Sequence, residues 1–507
     1  MEPSRFTKIL IANRGEIAVR VIRAARDLGI TSAVVYSDAD RESLPVLLAD
    51  EAYRIGTAKS SESYLRAQGI VDLAVEIGAD AVHPGYGFLA ENAEFARLCS
   101  SRGVVFIGPP PEAMARMGSK LESRRLMREA GVAIVPGGED ALATAAEALA
   151  AADEIGYPVM LKASAGGGGK GMRLVHAADQ LESAYRAARS EAGASFGEDA
   201  VYLEKYIEQP RHVEIQIMGD HHGRVVSLGE RECSLQRRHQ KVLEEAPSPV
   251  VSAQLRARMG AAAVAAGSAV GYTNAGTVEF LLAQDGSFYF LEMNTRLQVE
   301  HPVTEMVTGI DLVIAQIRVA QGEPLGAEFD EIPCRGHAIE VRLYAEDAFH
   351  GFIPSPGRIT RLRLPEGPGI RNDCGVREGG EVSIHYDPML GKLIAAGADR
   401  DSAIRRLRRA LGELRIEGVK TNVPLFAALL EDPDFLAGRL DIGMLDRKLA
   451  AGDLVPALPG ELSEIAAIAA ALEYSELRSR RAAGPSEENG RHSWREAGRR
   501  EAVGGQP

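Results

Sequence analysis

The segment from Thr277 to Asn294 constrains the fold most. Two strand-like runs flank the dipeptide Asp285-Gly286, and this dipeptide between such runs is a strong local signal for a β-hairpin. If Asp285-Gly286 forms a two-residue turn, Glu279 lies directly opposite Glu292, with their Cβ atoms about 4.5–5.5 Å apart. Like charges at that separation destabilise a hairpin. The pair therefore predicts a cation between the two carboxylates.

The neighbours of this pair favour a metal over a solvated acidic patch. Strand alternation places Leu281, Phe290 and Asn294 on the same face as the two glutamates. A solvent-exposed acidic pair, the alternative, does not suit apolar neighbours. Carboxylate and amide oxygens are hard ligands that suit Mg²⁺ or Mn²⁺, with phosphate oxygens filling the remaining positions.

The polar residues after the hairpin continue the same alternation. If the chain stays extended as far as His301-Pro302, one face carries Glu292, Asn294, Arg296, Gln298 and Glu300. A fixed guanidinium binds a planar oxyanion through two hydrogen bonds, and a nearby carboxylate can act as a base. Upstream, residues 233–241 add several cations, but without further context they could equally form an exposed basic turn.

A glycine run at residues 166–171 follows a predicted strand at 157–163. Such a run is either a flexible linker or a loop that covers phosphate with its backbone N–H groups. It is not a Walker P-loop, because Met172 follows Gly171. The adjacent Lys162 and Lys170 favour the phosphate-covering loop.

The N-terminal segment alternates strand, helix and strand, which predicts a doubly wound α/β layer. Asp38 follows the second strand, where an acid can bind a nucleotide ribose. The first turn, however, has only Gly15 where a dinucleotide-binding fingerprint needs three glycines. We therefore expect Asp38 to lie in a surface turn.

Composition excludes several classes of protein. A net charge of −13 argues against uniform attraction to nucleic acid or to an anionic membrane. The uncharged stretch Met259–Tyr272 is shorter than the ~20 residues of a membrane span, and the N-terminus lacks the apolar core of a signal peptide. We expect a cytoplasmic protein of about three domains without nucleic-acid or membrane partners.

Four stretches together resemble one family. They are KASAGGGGKGM (162–172), EKYIEQPRHVEIQ (204–216), CSLQRRHQK (233–241) and EMNTRLQVEHP (292–302). In order and spacing they are similar to the biotin carboxylases, and the resemblance runs from about Thr7 to Leu449. It implies a mixed α/β and α+β multidomain fold: a doubly wound N-terminal domain (1–119), an ATP-grasp domain (120–334) with a mobile lid at about 136–206, a C-terminal α/β domain (335–449) and a tail (450–507), helical and then poorly ordered.

The resemblance also implies a role for individual residues. For ATP it implies Lys120, Lys162, Gly168, Gly169, Glu204, Lys205, Ile207, His212, Gln236, His239, Glu279 and Glu292, and for the metal Glu279, Glu292 and Asn294. For bicarbonate it implies Lys241, Arg296, Gln298 and Val299, with Glu300 as the base, and for biotin Arg342. Lys241, Arg296, Glu300 and Arg342 are thus the expected catalytic residues.

The implied reaction is the first half-reaction of an acetyl-CoA, other acyl-CoA or pyruvate carboxylase. ATP and bicarbonate, with Mg²⁺ or Mn²⁺, would carboxylate biotin through carboxyphosphate. No Met-Lys-Met biotin attachment motif is present, so the expected partners are a separate biotin carboxyl carrier protein, carboxyltransferase subunits and a second copy in a homodimer. The alternatives are another ATP-grasp ligase and a non-catalytic ATP-binding scaffold. Trp494, in the tail, suggests docking of a partner subunit.

Overall fold

The N-terminal part of the chain is a parallel sheet with helices on both faces. The computed structural model describes residues 5–138, 141–164, 172–455 and 460–482. The first elements are β1 (Lys8–Ile11), α1 (Gly15–Asp27), β2 (Thr31–Ser37), α2 (Leu44–Leu48), β3 (Glu51–Gly56), α3 (Ala67–Glu76), β4 (Ala81–His83), α4 (Ala93–Ser101), β5 (Val105–Phe106) and α5 (Pro111–Gly118). The strand order is β3-β2-β1-β4-β5, all parallel, which confirms the doubly wound layer.

Strand alternation explains the two-sided packing of this sheet. Ile9 and Ile11 face a core shared with α1, whereas Leu10 belongs to the core formed with α3 and α4. Asp38 is exposed in a short 3-10 turn after β2 and is paired with Arg54 at 2.7 Å. The surface-turn prediction for Asp38 is therefore confirmed.

The central part of the chain contains a small sheet and the first half of a large one. Its elements are α6 (Lys120–Glu129), α7 (Ala145–Ile155), β6 (Val159–Ala163), β7 (Arg173–Val175), α8 (Ala178–Phe196), β8 (Val201–Lys205), β9 (Arg211–Gly219), β10 (Val225–Arg237), β11 (Gln240–Ala246), α9 (Ala253–Ala269), β12 (Asn274–Leu282), β13 (Phe288–Asn294), α10 (His301–Thr308) and α11 (Leu312–Ala320). Strands β7-β6-β8 form the small sheet, within the range assigned to a lid. Helices α7 and α8 share one buried cluster with it.

The large sheet does not stop at the predicted boundary near residue 335. The following elements are β14 (His337–Tyr344), β15 (Glu346–Asp347), β16 (Ile353–Pro354), β17 (Gly357–Arg358), β18 (Arg361–Arg363), β19 (Ile370–Cys374), β20 (Glu381–Val382), β21 (Met389–Gly397), α12 (Arg400–Glu413), β22 (Arg415–Glu417), α13 (Val423–Leu429), α14 (Pro433–Leu436) and α15 (Met444–Ala451). The order β13-β12-β9-β10-β11-β14-β21-β19 joins both parts in eight strands. Because β11 pairs with β14, side chains on one face of the sheet come from both sides of that boundary.

The hairpin forms, but its turn differs from the prediction. Glu279 pairs directly with Glu292 as predicted, whereas nearer the turn Phe280 pairs with Phe290. The turn is one residue longer than predicted, and a bulge at Leu291 restores the register. The bulge turns Phe290 into the core, so the prediction that Phe290 shares a face with the two glutamates was wrong.

Residues 456–507 form a separate unit. Its described element is α16 (Gly460–Ala482), on which Ile465, Ile468 and Leu472 are exposed. Trp494 lies outside the described residues. Among the described residues, no helix has the length and apolar character needed to cross a membrane.

Candidate active site

One large cavity collects residues from all three parts of the chain described above. Its volume is about 700 Å³. The N-terminal sheet contributes the start of α1 and the loop at Tyr86, and the large sheet contributes strands β9 to β13. The C-terminal part adds Arg342 and the segment 385–389. Of the sequence-predicted residues, it is lined by His212, Gln236, His239, Lys241, Glu279, Glu292, Asn294, Arg296, Gln298, Val299, Glu300 and Arg342.

Lys241 is the central cation of this cavity. Its ammonium lies 2.5 Å from Glu214, 2.9 Å from Glu279 and 2.7 Å from Glu300. The three carboxylates come from β9, from β12 and from the turn before α10. One buried cation thus connects the predicted metal-binding hairpin to the predicted base.

The electrostatics of this cluster keep its groups charged. Burial alone lowers the pKa of Lys241, but the three carboxylates around it raise that pKa well above its usual value. Burial raises the pKa of Glu300, yet Lys241 and Arg342 hold it well below the usual range. The pKa of Glu279 is likewise lowered, because Lys241 and His212 more than offset its burial. The site is therefore preorganised as a set of opposite charges.

Arg342 holds the other oxygen of Glu300. Its Nη2 lies 3.0 Å from Glu300 Oε2, and its Nε donates to Glu244 at 2.7 Å. The backbone carbonyl of Arg342 accepts from Asn422 at 2.9 Å. Burial, with the repulsion of Glu300, raises the pKa of Glu244 to about 7 despite the attraction of Arg342. The arginine is thus fixed at the cavity wall with its charge directed at Glu300.

Sequence reasoning missed the buried support beneath this cluster. Arg231 is fully buried, and its guanidinium donates to the side chains of Glu214, Gln216, Thr277, Gln298 and Thr304 at 2.5–3.0 Å. It fixes the carboxylate that faces Lys241. The available signal was the alternation of polar residues at 212, 214 and 216 within a strand-like run.

The metal-ligand candidates differ in how well they are held. Glu279 accepts from Lys241, from Asn294 at 2.9 Å and from Gln298 at 2.9 Å. Glu292, directly opposite, makes no hydrogen bond or ion pair among the described residues and is exposed to the cavity. Partial loss of hydration in the cavity and the charge of Glu279 both raise the pKa of Glu292. The three bonds to Glu279 all go to its Oε1, whereas its Oε2 lies 3.1 Å from His212 Nε2. Oε2 of Glu279 and the free carboxylate of Glu292 are hard oxygen donors that fit a divalent cation.

The row of alternating residues after the hairpin is only partly extended. Strand β13 ends at Asn294, and the chain then turns before α10, so the condition of an extended chain as far as His301-Pro302 is not met. Arg296 nevertheless lies 3.1 Å from Asn294 and 3.0 Å from Glu91. The turn keeps Gln298, Val299 and Glu300 on the cavity.

The basic segment 233–241 is both a turn and part of the site. Arg238 and His239 form the two-residue connection between β10 and β11, and both have positive φ. His239 reaches the cavity, and Gln236 lies 2.9 Å from the Nδ1 of His212. The sequence left open whether this segment belongs to the site or is an exposed basic turn. The strained backbone of the connection places the His239 imidazole at the cavity.

The remaining nucleotide candidates lie outside the cavity lining. Lys162 is 2.5 Å from Glu204, to which Arg124 also donates, while Lys205 donates to the carbonyls of Gly156 and Tyr157. Ile207 follows β8 and is half-buried. Gly168 and Gly169 lie outside the described residues.

Lys120 lies near both the cavity residue Glu292 and the small-sheet residue Glu204. It begins α6 and makes no ion pair among the described residues. Burial lowers its pKa, while Glu292 and Glu204 both act on it. A cation in this position can meet an anion that spans the cavity and the small sheet.

The chain is similar to known proteins over most of its length. Residues 5–114 match the N-terminal domain of biotin carboxylase, residues 119–328 the ATP-binding domain of carbamoyl-phosphate synthase L chain, and residues 340–447 the C-terminal domain of biotin carboxylase. The biotin carboxylase of Nostoc sp. is 53% identical over 436 residues, 86% of this chain and 98% of that protein. A pyruvate carboxylase subunit of Methanothermobacter thermautotrophicus is 52% identical over 441 residues, 87% of this chain and 90% of that protein.

The fold of the chain is also similar to that of a solved biotin carboxylase structure. The biotin carboxylase domain dimer of Hydrogenobacter thermophilus 2-oxoglutarate carboxylase, in complex with MgADP, ADP and bicarbonate, has a TM-score of 0.85 and 46% identity. The match covers 89% of this chain and 99% of that one. Fold and site define a protein of the ATP-grasp class. The chain belongs to the biotin carboxylase family.

Proposed function

We propose that this chain uses ATP and bicarbonate to carboxylate biotin on a separate carrier protein. The observation that carries the proposal is the position of Lys241, which contacts both Glu279 of the hairpin and Glu300 beside Arg342. A phosphoryl group held at the hairpin and an acceptor held beside Glu300 would share one cation. Phosphoryl transfer depends mainly on such positioning and on charge neutralisation.

The hairpin end of the cavity would hold the ATP phosphates. Glu279, Glu292 and Asn294 offer oxygen ligands for Mg²⁺ or Mn²⁺, which when bound would neutralise phosphate charge. Lys120 and Lys162 would contact the phosphates, and the glycine run would cover them. Glu204, Lys205, Ile207, His212, Gln236 and His239 complete the proposed nucleotide site.

The opposite end would hold bicarbonate. Arg296, Gln298 and the Val299 backbone would bind its oxygens, with Lys241 on the side of the phosphate. Lys241 and Arg342 keep Glu300 ionised, which is the form that a base needs. The same two cations lower its affinity for a proton, so proton transfer from bicarbonate would have to be coupled to phosphorylation of the oxygen that loses the proton. The oxygen that loses the proton would lie beside two fixed cations and attack the γ-phosphorus of ATP. The bond from that phosphorus to ADP would break, which gives carboxyphosphate and ADP.

Biotin would enter beside Arg342. Carboxyphosphate would break down to CO₂ and phosphate, the phosphate would take the N1′ proton of biotin, and N1′ would then bond to CO₂. Loss of the N1′ proton places negative charge on the ureido oxygen, and a fixed guanidinium stabilises that charge. Closure of the small sheet over the cavity would exclude water and protect carboxyphosphate from hydrolysis.

The decisive experiment measures ADP release from ATP, Mg²⁺ and bicarbonate, with and without free biotin. Biotin should stimulate ADP release, and the stimulation should vanish when bicarbonate is removed. ADP release that ignores biotin contradicts the proposal. ATP binding without ADP release under any condition would instead favour the non-catalytic scaffold.

The proposed assembly contains a biotinyl carrier, a carboxyltransferase and a second copy of this chain. Relatives include one subunit of a pyruvate carboxylase and a biotin carboxylase domain dimer of a 2-oxoglutarate carboxylase. In the proposed assembly, the transferase partner would set the final acceptor. Isolation of the complex with its transferase would distinguish an acetyl-CoA carboxylase of fatty-acid synthesis from the other acyl-CoA and keto-acid carboxylases. Deleting residues 475–507 should prevent co-purification of the carrier or transferase, and unchanged co-purification contradicts the role proposed for Trp494.

A further inference from the structure

A second cation lies beside Arg342 on the large sheet. Lys392 of β21 is the direct cross-strand partner of Arg342 on β14, so both side chains project from the same face. The side chain of Lys392 is fully buried, although a buried ammonium is costly unless it is well paired. The ATP, metal, bicarbonate and biotin sites proposed above do not include this lysine.

The contacts of Lys392 show what it holds. Its ammonium donates to the backbone carbonyl of Val299 at 2.6 Å. The nearest carboxylate oxygens, from Glu16 and Asp373, are farther away, at 3.5 and 3.9 Å. These acids come from α1 and β19, so they balance the charge from two sides. The shortest contact, however, is directed at the turn that carries Glu300.

Because the peptide bond is planar, the contact of Lys392 with the Val299 carbonyl also fixes the orientation of the Glu300 N–H. The carbonyl of Val299 and the N–H of Glu300 belong to one rigid peptide unit. Lys392 fixes that unit, and Arg342 fixes the Glu300 carboxylate at 3.0 Å. The preceding carbonyl, of Gln298, lies 2.8 Å from His301 Nδ1. Two neighbouring strand positions therefore hold the same turn, one through its backbone and one through its acid.

We propose that Lys392 is a positioning residue that sets the backbone of the Val299–Glu300 turn and thereby aims Glu300 at bicarbonate. The inference rests on the proposed function and adds a residue to it. Lys392 does not line the cavity, so it acts on the proposed bicarbonate site only through Val299 and Glu300.

The test compares the single variant Lys392→Met with the double variant Glu16→Gln/Lys392→Met in biotin-dependent ADP release. The single variant leaves Glu16 without its cation and should melt at a lower temperature. Its kcat/KM for bicarbonate should fall roughly tenfold or more, as expected when a hydrogen bond from a charged donor is lost. KM for ATP should stay within about twofold, because the hairpin end is not in contact with this lysine.

The double variant separates stability from positioning. The neutral amide that replaces the Glu16 carboxylate no longer needs a cation, so the melting temperature should recover in part and a folded protein is available for kinetics. The bicarbonate defect should persist. Recovery of kcat/KM together with the melting temperature, or a parallel rise in KM for ATP, would assign Lys392 a purely structural role and overturn the proposal.

Lys448→Met is the matched control. Lys448 also sits between two carboxylates, Asp432 at 2.7 Å and Asp434 at 2.8 Å. Neither lysine lines the cavity, but only Lys392 of the two donates to the Val299–Glu300 turn. The Lys448→Met variant should have a lower melting temperature and unchanged kcat/KM for bicarbonate. A wild-type protein without biotin-stimulated ADP release refutes the proposed function, whereas an active wild type with an equally active Lys392→Met variant refutes only the positioning role.

Discussion

The two ends of the cavity neutralise their acids in different ways. At the end around Lys241, the protein itself supplies the cation for Glu214, Glu279 and Glu300. At the end around Glu292, the described residues supply no ionic partner, although His212, Lys120 and Lys241 act on it at longer range.

At one end the neutralising cation is part of the protein, and at the other end it would have to be bound from solution. The Lys241 end is arranged before any substrate arrives, which reduces reorganisation during the reaction. The Glu292 end has oxygen donors with unused capacity, and a metal–phosphate complex would complete it. Substitutions at the two ends should therefore differ in their effects on stability and on metal dependence.

The largest effect is expected at the built-in end. Lys241→Met removes the cation shared by three buried carboxylates, so both the melting temperature and activity should fall, with kcat reduced about 10³-fold. The measurements are thermal unfolding and biotin-dependent ADP release. A variant that keeps more than about a tenth of wild-type kcat would show that Lys241 is dispensable for charge stabilisation.

Arg342→Ala should separate biotin chemistry from nucleotide binding. Biotin-stimulated turnover should fall about 10²-fold, because a fixed charge near the developing oxyanion is lost. ATP affinity, measured by calorimetry, should persist, because Arg342 contacts Glu244 and Glu300 and not the hairpin. Loss of both properties together contradicts the assigned role.

Glu292→Gln tests the open end. The concentration of Mg²⁺ required for half-maximal activity should rise roughly tenfold, because one carboxylate ligand is replaced by a neutral amide. The melting temperature without metal should stay the same or rise, because repulsion from Glu279 is removed. A lowered melting temperature would mean that Glu292 is already paired and would remove the contrast between the two ends.

A smaller, pH-dependent effect is expected at Glu16. Burial raises its pKa to about 7, although Lys392 opposes the shift. Since the folded state then binds a proton more tightly than the unfolded state, this group makes stability fall as pH rises from about 4.5 to about 7, by at most about 3 kcal/mol. Glu16→Gln should therefore stabilise the protein more at pH 8 than at pH 5. Denaturant titrations at both pH values that give the same difference would contradict this sign.

The smallest effect is expected at Asp38, whose partner Arg54 is also exposed. Asp38→Asn should leave the melting temperature and KM for ATP almost unchanged, because exposed ion pairs contribute little. A clear rise in KM for ATP would instead support the alternative that Asp38 binds the ribose of a nucleotide.

The sequence predicted the parts of the site that depend on neighbouring positions along one strand. The pairing of Glu279 with Glu292 followed from alternation and a turn signal. The turn length was wrong, because the bulge at Leu291 compensates for a longer turn and depends on packing of Phe290 in the core. Propensity and alternation contain no information about such a compensation.

The amino-acid sequence by itself determined the doubly wound N-terminal layer, the opposed glutamates, the glycine run and the family. Each of these follows from short-range patterns or from motifs of a few residues. Only the tertiary structure decided that Lys241 contacts three acids, that Arg231 supports them and that Lys392 holds the carbonyl of Val299. These contacts join strands and turns that are distant in sequence, and a buried charge finds its partners only when the sheet that carries them is assembled.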